Sequence, residues 1–195
     1  NIGRKELETF GRTGQELPFL FARTPGILAW SENGVGTGTT SMRVRGAGAT
    51  RMNITLDGVS LNSPEDQCVF WANMNSYATL LGNVQIQRGV GTSTNGDGAF
   101  GGTVALTTKA PSLTPMLEVS GAYGSYNTYN VGGNFSTGLL LNHLIFEGAY
   151  HHTGTDGFIH GTAGNSGSYY GGLTWLNNDG TLKLSYKNIG NYEKT

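Results

Sequence analysis

Hydrophobic and polar positions divide the chain into two parts with different periods. Up to about residue 111, helix-like and strand-like patterns alternate. Residues 4–10 resemble a short polar helix, and residues 16–23 place apolar side chains at helical spacing until Thr24-Pro25-Gly26 ends the segment. Alternation typical of strands follows in residues 27–30, 42–45, 53–57, 84–88 and 103–109. The first part is therefore predicted to be a small unit of helices and strands.

Two local signals refine this prediction. Asp57-Gly58, between Leu56 and Val59, favours a tight hairpin because both residues tolerate a positive φ. Residues 73–81 favour a further helix.

The second part, from Met116 onward, has a period of two through five segments. In the first segment, Leu117, Val119 and Tyr123 alternate with Glu118 and Ser120. The other four lie around residues 128–135, 144–151, 169–175 and 182–187. Their length is close to the roughly 9–11 residues with which a tilted strand crosses a bilayer, and aromatic residues stand at the ends of the apolar faces.

The connections between these segments differ in length. Residues 177–180 predict a tight turn, whereas residues 153–167 are polar and rich in glycine. Short turns at one end and long loops at the other are typical of outer-membrane barrels. Strands of a soluble β-sandwich also alternate, so the period alone leaves both architectures open.

Composition narrows the class of protein. Hydrophobic residues make up 37% and charged residues 13%, with 32 glycines and 5 prolines. An average domain has about 25% charged residues and about 7% glycine, so this composition favours a β-rich protein with many turns. The net charge of −1, without a long basic segment, argues against nucleic-acid binding. Cys68 is the only cysteine, which excludes an intrachain disulfide and a multi-cysteine metal site.

Motifs in the first part resemble signatures of TonB-dependent outer-membrane receptors. One is Met42-Arg43-Val44-Arg45-Gly46, followed by residues 53–62 with Asp57-Gly58-Val59. Ser60 stands where the family often has proline. The second is formed by residues 84–89 and 96–109. The family's Pro-Gly-Val turn is resembled by Thr24-Pro25-Gly26-Ile27. The family's first barrel hairpin is resembled by the segment from Tyr123 to Tyr129.

The resemblance implies an α+β plug domain over residues 1–111, followed by antiparallel transmembrane β-barrel strands over residues 112–195. The barrel is expected to be incomplete, with about five strands. A TonB box and the remaining strands would belong to the complete receptor, because this chain has no room for them.

The implied function is import across the outer membrane of a Gram-negative bacterium. The plug would close the barrel and reach the periplasm, and the TonB-ExbB-ExbD complex would supply energy. The expected partners are outer-membrane lipid, that complex and an extracellular small-molecule ligand. Residues 91–98 differ from the signature of SusC-type glycan receptors, which favours an iron-siderophore, haem or cobalamin as the ligand.

The resemblance also assigns roles to individual residues. Arg45 and Arg88 each end a strand just before glycine and would lock the plug to acidic residues of the barrel wall, since a buried guanidinium needs a carboxylate partner. Ligand contacts are expected in the plug loops on the extracellular side. The candidates are Asn33, Thr37, Gln67, Phe70 and Trp71, of which the two aromatic rings would stack on a flat ligand or pack against the barrel interior.

Other candidate chemistry has little support. Residues 96–101 match G-x-G-x-x-G but precede a strand, so no helix N-terminus is available for a pyrophosphate. His151 and His152 are adjacent in a strand and point to opposite faces, which argues against a shared metal ion. Without a Ser-His-Asp set or paired carboxylates, we expect no catalytic residue, no enzyme activity and no cofactor.

Two alternatives from other classes remain open at this point. One is an outer-membrane signalling or adhesion β-barrel without transport, which an upstream signalling domain in place of a TonB box would favour. The other is a soluble β-domain of a secreted enzyme.

Overall fold

The computed structural model describes residues 1–89, 100–177, 179 and 181–194. Within these ranges the chain forms an N-terminal unit, which contains two helices and seven strands, and a C-terminal sheet of five strands. The helices are α1 (Arg4–Gly11) and α2 (Leu17–Phe21). The strands of the N-terminal unit are β1 (Ile2–Gly3), β2 (Ile27–Ser31), β3 (Thr40–Val44), β4 (Met52–Leu56), β5 (Val59–Ser60), β6 (Leu81–Arg88) and β7 (Gly102–Thr108).

The N-terminal unit is built around a mixed sheet with the strand order β1-β6-β7-β4-β5. Strands β4 and β7 pair in parallel, and the other pairs are antiparallel. Strands β2 and β3 form a separate antiparallel pair. Asp57 and Gly58 form the predicted hairpin turn with φ values of 49° and 85°. This turn lies at one edge of the sheet and carries Asp57 toward the C-terminal sheet.

The hydrophobic core lies between the helices and the mixed sheet. Helix α1 forms because Leu7 and Phe10, three residues apart, share one face and are buried, while Arg4 and Glu8 pair on the exposed face at 2.8 Å. Pro18 occupies the first turn of α2, where a missing N–H costs nothing. The core also includes buried side chains from both helices and the sheet: Leu17, Leu20, Phe21, Ile54, Leu81, Val84, Val104 and Leu106.

The C-terminal sheet is an antiparallel meander in which each strand pairs with the next. Its strands are β8 (Met116–Tyr123), β9 (Tyr129–Ser136), β10 (Leu144–Thr155), β11 (Gly164–Leu176) and β12 (Lys183–Lys194). The register of β10 and β11 extends from Leu144 opposite Trp175 to Thr155 opposite Gly164. The predicted α+β unit followed by five antiparallel strands is confirmed.

One predicted element is wrong and two motifs cannot be compared. The expected helix over residues 73–81 is replaced by 3₁₀ turns at Trp71–Met74 and Tyr77–Thr79. Asn75 has a ψ of 134° and Ser76 has a φ of 60°, neither of which is helical, so the helical path is interrupted between the two turns. Most of the G-x-G-x-x-G match and residues 178 and 180 of the predicted turn lie outside the described residues.

Candidate functional site

The C-terminal sheet turns its polar face toward the N-terminal unit and its apolar face away from it. On the inner face, Asn130, His151 and Thr153 are each 1% exposed. On the outer face, Leu117 and Val119 are each 79% exposed. A soluble β-sandwich buries its apolar face, whereas the wall of a transmembrane barrel exposes it to lipid. The arrangement therefore favours a barrel wall.

The adjacent histidines of β10 lie on opposite faces of this sheet. His151 points inward, and its Nε2 lies 3.1 Å from Asn134 Oδ1. His152 points outward between two tyrosines, with Nε2 3.2 Å from the Tyr129 hydroxyl and Nδ1 2.7 Å from the Tyr192 hydroxyl. Among the described residues, no group of three or more His, Cys, Asp or Glu side chains is placed to bind a metal ion.

A buried network of polar side chains joins the inner face to the N-terminal unit. Asn130 Nδ2 donates to Thr153 Oγ1 at 2.7 Å and reaches Ser76 Oγ at 3.5 Å. Ser76 donates to Asn75 Oδ1 at 2.9 Å, and Asn75 Nδ2 donates to Glu16 Oε1 at 3.2 Å. The backbone of Ser76 is left-handed, and the buried polar side chains of Asn75 and Ser76 both lie at the interface.

Glu16 ends this network with an unusual environment. It is 1% exposed, and its Oε2 has no hydrogen-bond partner among the described residues. Burial raises the pKa of Glu16 to about 8, Asn75 and the Gly38 N–H act in the opposite direction, and the negative charge of Glu193 adds to the rise. The Glu16 carboxyl is therefore mostly protonated at neutral pH.

A second, ionic contact lies at the Asp57-Gly58 turn. Lys187 Nζ of β12 is 3.1 Å from Asp57 Oδ2, and it also donates to Thr108 Oγ1. Thr108 donates to Asp57 through its N–H at 2.9 Å and its hydroxyl at 2.7 Å. Burial opposes ionisation of Asp57, but the bonds from Thr108 and Lys187 outweigh it and hold the pKa of the carboxyl below its usual value.

A cavity of about 370 Å³ lies between the N-terminal unit and the C-terminal sheet. One wall is the loop between β2 and β3, which contributes Glu32, Asn33, Thr37, Gly38 and Thr39. The other wall comes from the ends of β10, β11 and β12 and from the connection between β10 and β11. Its residues are Thr153, Gly154, Thr155, Gly161, Thr162, Ala163, Gly164, Asn165, Ser166 and Glu193.

Two of the predicted ligand residues, Asn33 and Thr37, lie together in the wall of this cavity. Asn33 Nδ2 donates to Thr37 Oγ1 at 2.6 Å, and Asn33 Oδ1 accepts the N–H groups of Val35 and Gly36. The Asn33 carbonyl accepts the N–H of Phe158 at 2.9 Å, which ties the loop to the β10–β11 connection. The polar atoms of the Asn33 side chain thus shape the loop.

The other three predicted ligand residues are elsewhere. Gln67 is exposed, and its backbone has a φ of 58°. Phe70 is 60% exposed and offers a free aromatic ring. Trp71 is 3% exposed and packs edge-on against Phe21 with ring centroids 5.6 Å apart. In this conformation the Trp71 indole is part of the core and has no open face for a stacking ligand.

The two predicted locking arginines converge on the turn at Pro25-Gly26. Arg88 Nη1 donates to the Pro25 carbonyl at 2.7 Å, and the backbone N–H of Arg45 donates to the Gly26 carbonyl at 2.7 Å. Both side chains are exposed. Within the described ranges, neither guanidinium pairs with a carboxylate.

Sequence patterns did not single out Glu16, Lys187 or Glu193. Glu16 stands beside the apolar Leu17, Pro18 and Phe19, and a charged residue at the start of a buried segment is a weak signal for a buried acid. Lys187 and Glu193 lie on the inward side of the two-residue period in β12, which marks them as facing the N-terminal unit but names no partner.

The family of the chain is shown by comparison with known proteins. The family model for the TonB-dependent receptor plug domain matches residues 1–103, and the chain belongs to this family. No curated protein sequence matches the chain.

Solved structures of outer-membrane receptors share the fold at low sequence identity. FpvA of Pseudomonas aeruginosa, bound to a heterologous pyoverdine with iron, is 20% identical with a TM-score of 0.74, over 92% of this chain and 23% of that one. The copper transporter OprC is 14% identical with a TM-score of 0.72, over 93% and 29%. The FrpB iron transporter of Neisseria meningitidis is 19% identical with a TM-score of 0.71, over 92% and 29%.

The chain thus spans between 23% and 29% of the length of these three proteins. Within the described ranges, no helix is both long and apolar enough to span a membrane.

Proposed function

We propose that this chain is part of a receptor that imports a scarce ligand across the outer membrane with energy from TonB. The observation that carries the proposal is a plug-family unit packed on the polar face of a five-stranded sheet whose apolar face is exposed. A sheet of this kind fits a lipid environment on its outer side and a plug on its inner side. The protein performs no covalent chemistry in this scheme.

We place the boundary of the two domains between residues 111 and 112. The mixed sheet ends with β7 at Thr108 and the C-terminal sheet begins with β8 at Met116, which supports a division between them. In this arrangement the C-terminal sheet lies in the outer membrane of a Gram-negative bacterium. The plug reaches the periplasm, where the TonB-ExbB-ExbD complex engages the complete receptor.

An iron-siderophore, haem or cobalamin is the class of ligand that we propose. The solved structures with this fold include iron, siderophore and copper receptors by their own descriptions, which supports a metal-containing ligand. Asn33 and Thr37, in the cavity wall, are proposed to shape the ligand site. Gln67 and Phe70, which are exposed and lie outside the cavity wall, are proposed as further ligand contacts. Trp71 is proposed to hold their loop in place from the core.

Arg45 and Arg88 are proposed to lock the plug to carboxylates of barrel strands that are not in this chain. Their contacts with one turn, through the guanidinium of Arg88 and the backbone N–H of Arg45, place both residues on the same part of the plug surface, which supports a joint role. Lys187 and Asp57 make the corresponding contact within the chain.

Growth of a bacterial strain that lacks the complete gene tests the proposal. The strain is supplied with a single iron source or with cobalamin as the only usable form, one compound per culture. We expect loss of growth on one of them, restoration by the complete gene, and no restoration in a strain without TonB. Restoration that does not need TonB contradicts energy-coupled import and favours a passive or adhesive barrel.

A further inference from the structure

The charged side chains that line the cavity between the β2–β3 loop and the C-terminal sheet are all acidic. Glu32 and Glu193 line it, and none of the lining side chains that the structure describes is Lys, Arg or His. The rest of the wall consists of Gly, Ala and side chains with hydroxyl or amide groups. A site with two carboxylates and no basic residue repels anions and attracts cations.

A third carboxyl group, that of Glu16, lies directly behind this wall. The Glu193 carboxylate approaches Gly38 so closely that a Cβ added at Gly38 would lie 3.3 Å from Glu193 Oε1. The N–H of the same Gly38 faces Glu16, which is 1% exposed and has the unpartnered atom Oε2. Glu16 and Glu193 therefore lie on two sides of Gly38. The protonated Glu16 adds no charge at neutral pH, so Glu32 and Glu193 carry the negative charge of the wall.

We propose that the cavity binds a cationic organic group, an ammonium or guanidinium, that the imported ligand carries. The proposal rests on the import function proposed above and names the chemistry of one part of its ligand. The volume of about 370 Å³ is within the range of small-molecule sites, roughly 300–1,000 Å³, so an alkylammonium arm fits inside it.

The donor set favours an organic cation over a bare metal ion. The described residues contain no group of three or more side chains placed to bind a metal. A hydrated divalent ion also prefers several carboxylates at close range, whereas an ammonium group is satisfied by one or two carboxylates and neutral acceptors. Asn165 and Ser166, in the cavity wall, provide such neutral acceptors.

The anchoring of the loop supports a preformed site. The bonds of Asn33 within the loop, and from its carbonyl to Phe158, fix the wall that carries Glu32 and Gly38. A wall that is already ordered loses little conformational entropy when a ligand binds.

Binding of three probes of similar length to the purified complete receptor tests the inference. The probes are putrescine, which carries two ammonium groups, 1,4-butanediol, which is neutral, and succinate, which carries two negative charges. Binding is measured by saturation-transfer NMR and titration calorimetry at low and high salt. We expect binding of putrescine that weakens as salt increases, and much weaker binding of the other two.

Substitutions locate the effect. We expect Glu193→Gln to weaken putrescine binding about tenfold or more, and Glu32→Gln several-fold, because each removes one charge from the wall. Glu65→Gln is the matched control, since Glu65 is an exposed carboxylate outside the cavity, and it leaves the affinity unchanged. Equal binding of butanediol, or an unchanged affinity in the Glu32→Gln/Glu193→Gln double variant, overturns the inference. Circular dichroism and the heat-dependent gel mobility of the barrel confirm that each variant is folded.

The growth assay separates this inference from the proposed function. TonB-dependent growth, together with an affinity for putrescine that the Glu32→Gln and Glu193→Gln substitutions leave unchanged, overturns the cation site and keeps the import function. Putrescine binding that is lost in the Glu193→Gln variant, in a receptor that gives no TonB-dependent growth, supports a cation site in the cavity but overturns the import function and the assignment of the cation to an imported ligand.

Discussion

Glu16 shows how the interface constrains a single residue. The carboxyl is buried among the Asn75 amide, the Gly38 N–H and the charge of Glu193, and one of its oxygens has no partner among the described residues. An ionised carboxylate in such a place is costly, so the group keeps its proton over most of the physiological range. Its effect on stability therefore depends on pH.

Replacement of Glu16 by glutamine is expected to stabilise the folded plug increasingly as the pH rises. The folded pKa of about 8 is above the ordinary value of 4.5, so the cost of ionisation is absent below 4.5, grows between the two values and is complete above 8. At about 1.4 kcal/mol for each pKa unit, the rise from 4.5 to about 8 corresponds to a gain on the order of 5 kcal/mol at high pH. Calorimetric unfolding of the complete receptor at several pH values measures it, with Glu65→Gln as the control. A gain that is the same at every pH contradicts the assignment.

Gly102 at the start of β7 is a second residue whose identity is fixed by its surroundings. Its φ is 150°, and an added Cβ would lie 2.6 Å from the Gln87 carbonyl oxygen of the paired strand β6. We expect Gly102→Ala to destabilise the plug by about 1–3 kcal/mol, because the two strands must move apart. Gly48→Ala is the control, since nothing lies within 4 Å of its added Cβ, and its effect should be small. Urea unfolding of both variants provides the comparison, and equal midpoints would contradict the steric explanation.

At the scale of elements, the β4–β5 turn and strand β12 are connected by the Asp57–Lys187 ion pair. The pair is partly exposed, at 37% and 26% of the side chains, so solvent screens it. The two hydrogen bonds from Thr108 fix the carboxylate in place, which reduces the entropy lost when the pair forms. The turn provides this geometry because Asp57 and Gly58 both accept a positive φ.

A double-mutant cycle measures the contribution of this pair. We expect Lys187→Met to lower the unfolding free energy of the plug by about 1 kcal/mol. In the Asp57→Asn background the same substitution should cost much less, because the ion pair is already lost. Arg4→Met, in the exposed Arg4–Glu8 pair of α1, is the comparison and should cost about 0.3–0.5 kcal/mol. Additive effects of the Lys187 and Asp57 substitutions would show that the two groups do not interact.

At the scale of the whole molecule, the N-terminal unit and the C-terminal sheet meet through a network of polar contacts and through Ile189 of β12, which packs against the core. Their hydrogen bonds connect Glu16, Asn75, Ser76, Asn130 and Thr153, and unpartnered atoms remain on Glu16 and Asn130 among the described residues. A polar interface separates more easily in the presence of water than an apolar one, because water replaces its hydrogen bonds. This property suits a plug that must move within a barrel.

A disulfide across this interface is expected to stop import. Ser76 Oγ and Asn130 Nδ2 are 3.5 Å apart, so the two side chains are neighbours across the interface, and mass spectrometry first checks that the Ser76→Cys/Asn130→Cys pair forms the disulfide. The background carries Cys68→Ser, because Cys68 is a free thiol. We expect TonB-dependent uptake to be lost under oxidising conditions and restored by a reductant, while each single-cysteine variant remains active. Uptake through the oxidised double variant would contradict movement of the plug at this interface.

Much of the fold could be predicted from local patterns. The two-residue period of β8–β12 fixed which side chains share a face, and the structure confirms five antiparallel strands with Leu117 and Val119 outward and His151 inward. The Asp57-Gly58 hairpin was also predictable, because the turn depends on two adjacent residues. The helix expected over residues 73–81 was wrong, since buried hydrogen bonds of Asn75 and Ser76 outweigh local helical preference there.

The sequence by itself determined the class of the chain, the order of its elements and the identity of the faces, because these follow from periods and motifs in neighbouring residues. It also pointed to Asn33 and Thr37 as residues of one loop. Only the tertiary structure decided that this loop meets Thr153 and Glu193 around a cavity, that Trp71 belongs to the core, and that Glu16 lies behind Gly38. These contacts join residues up to about 180 positions apart, and no local pattern specifies which distant side chains packing will bring together.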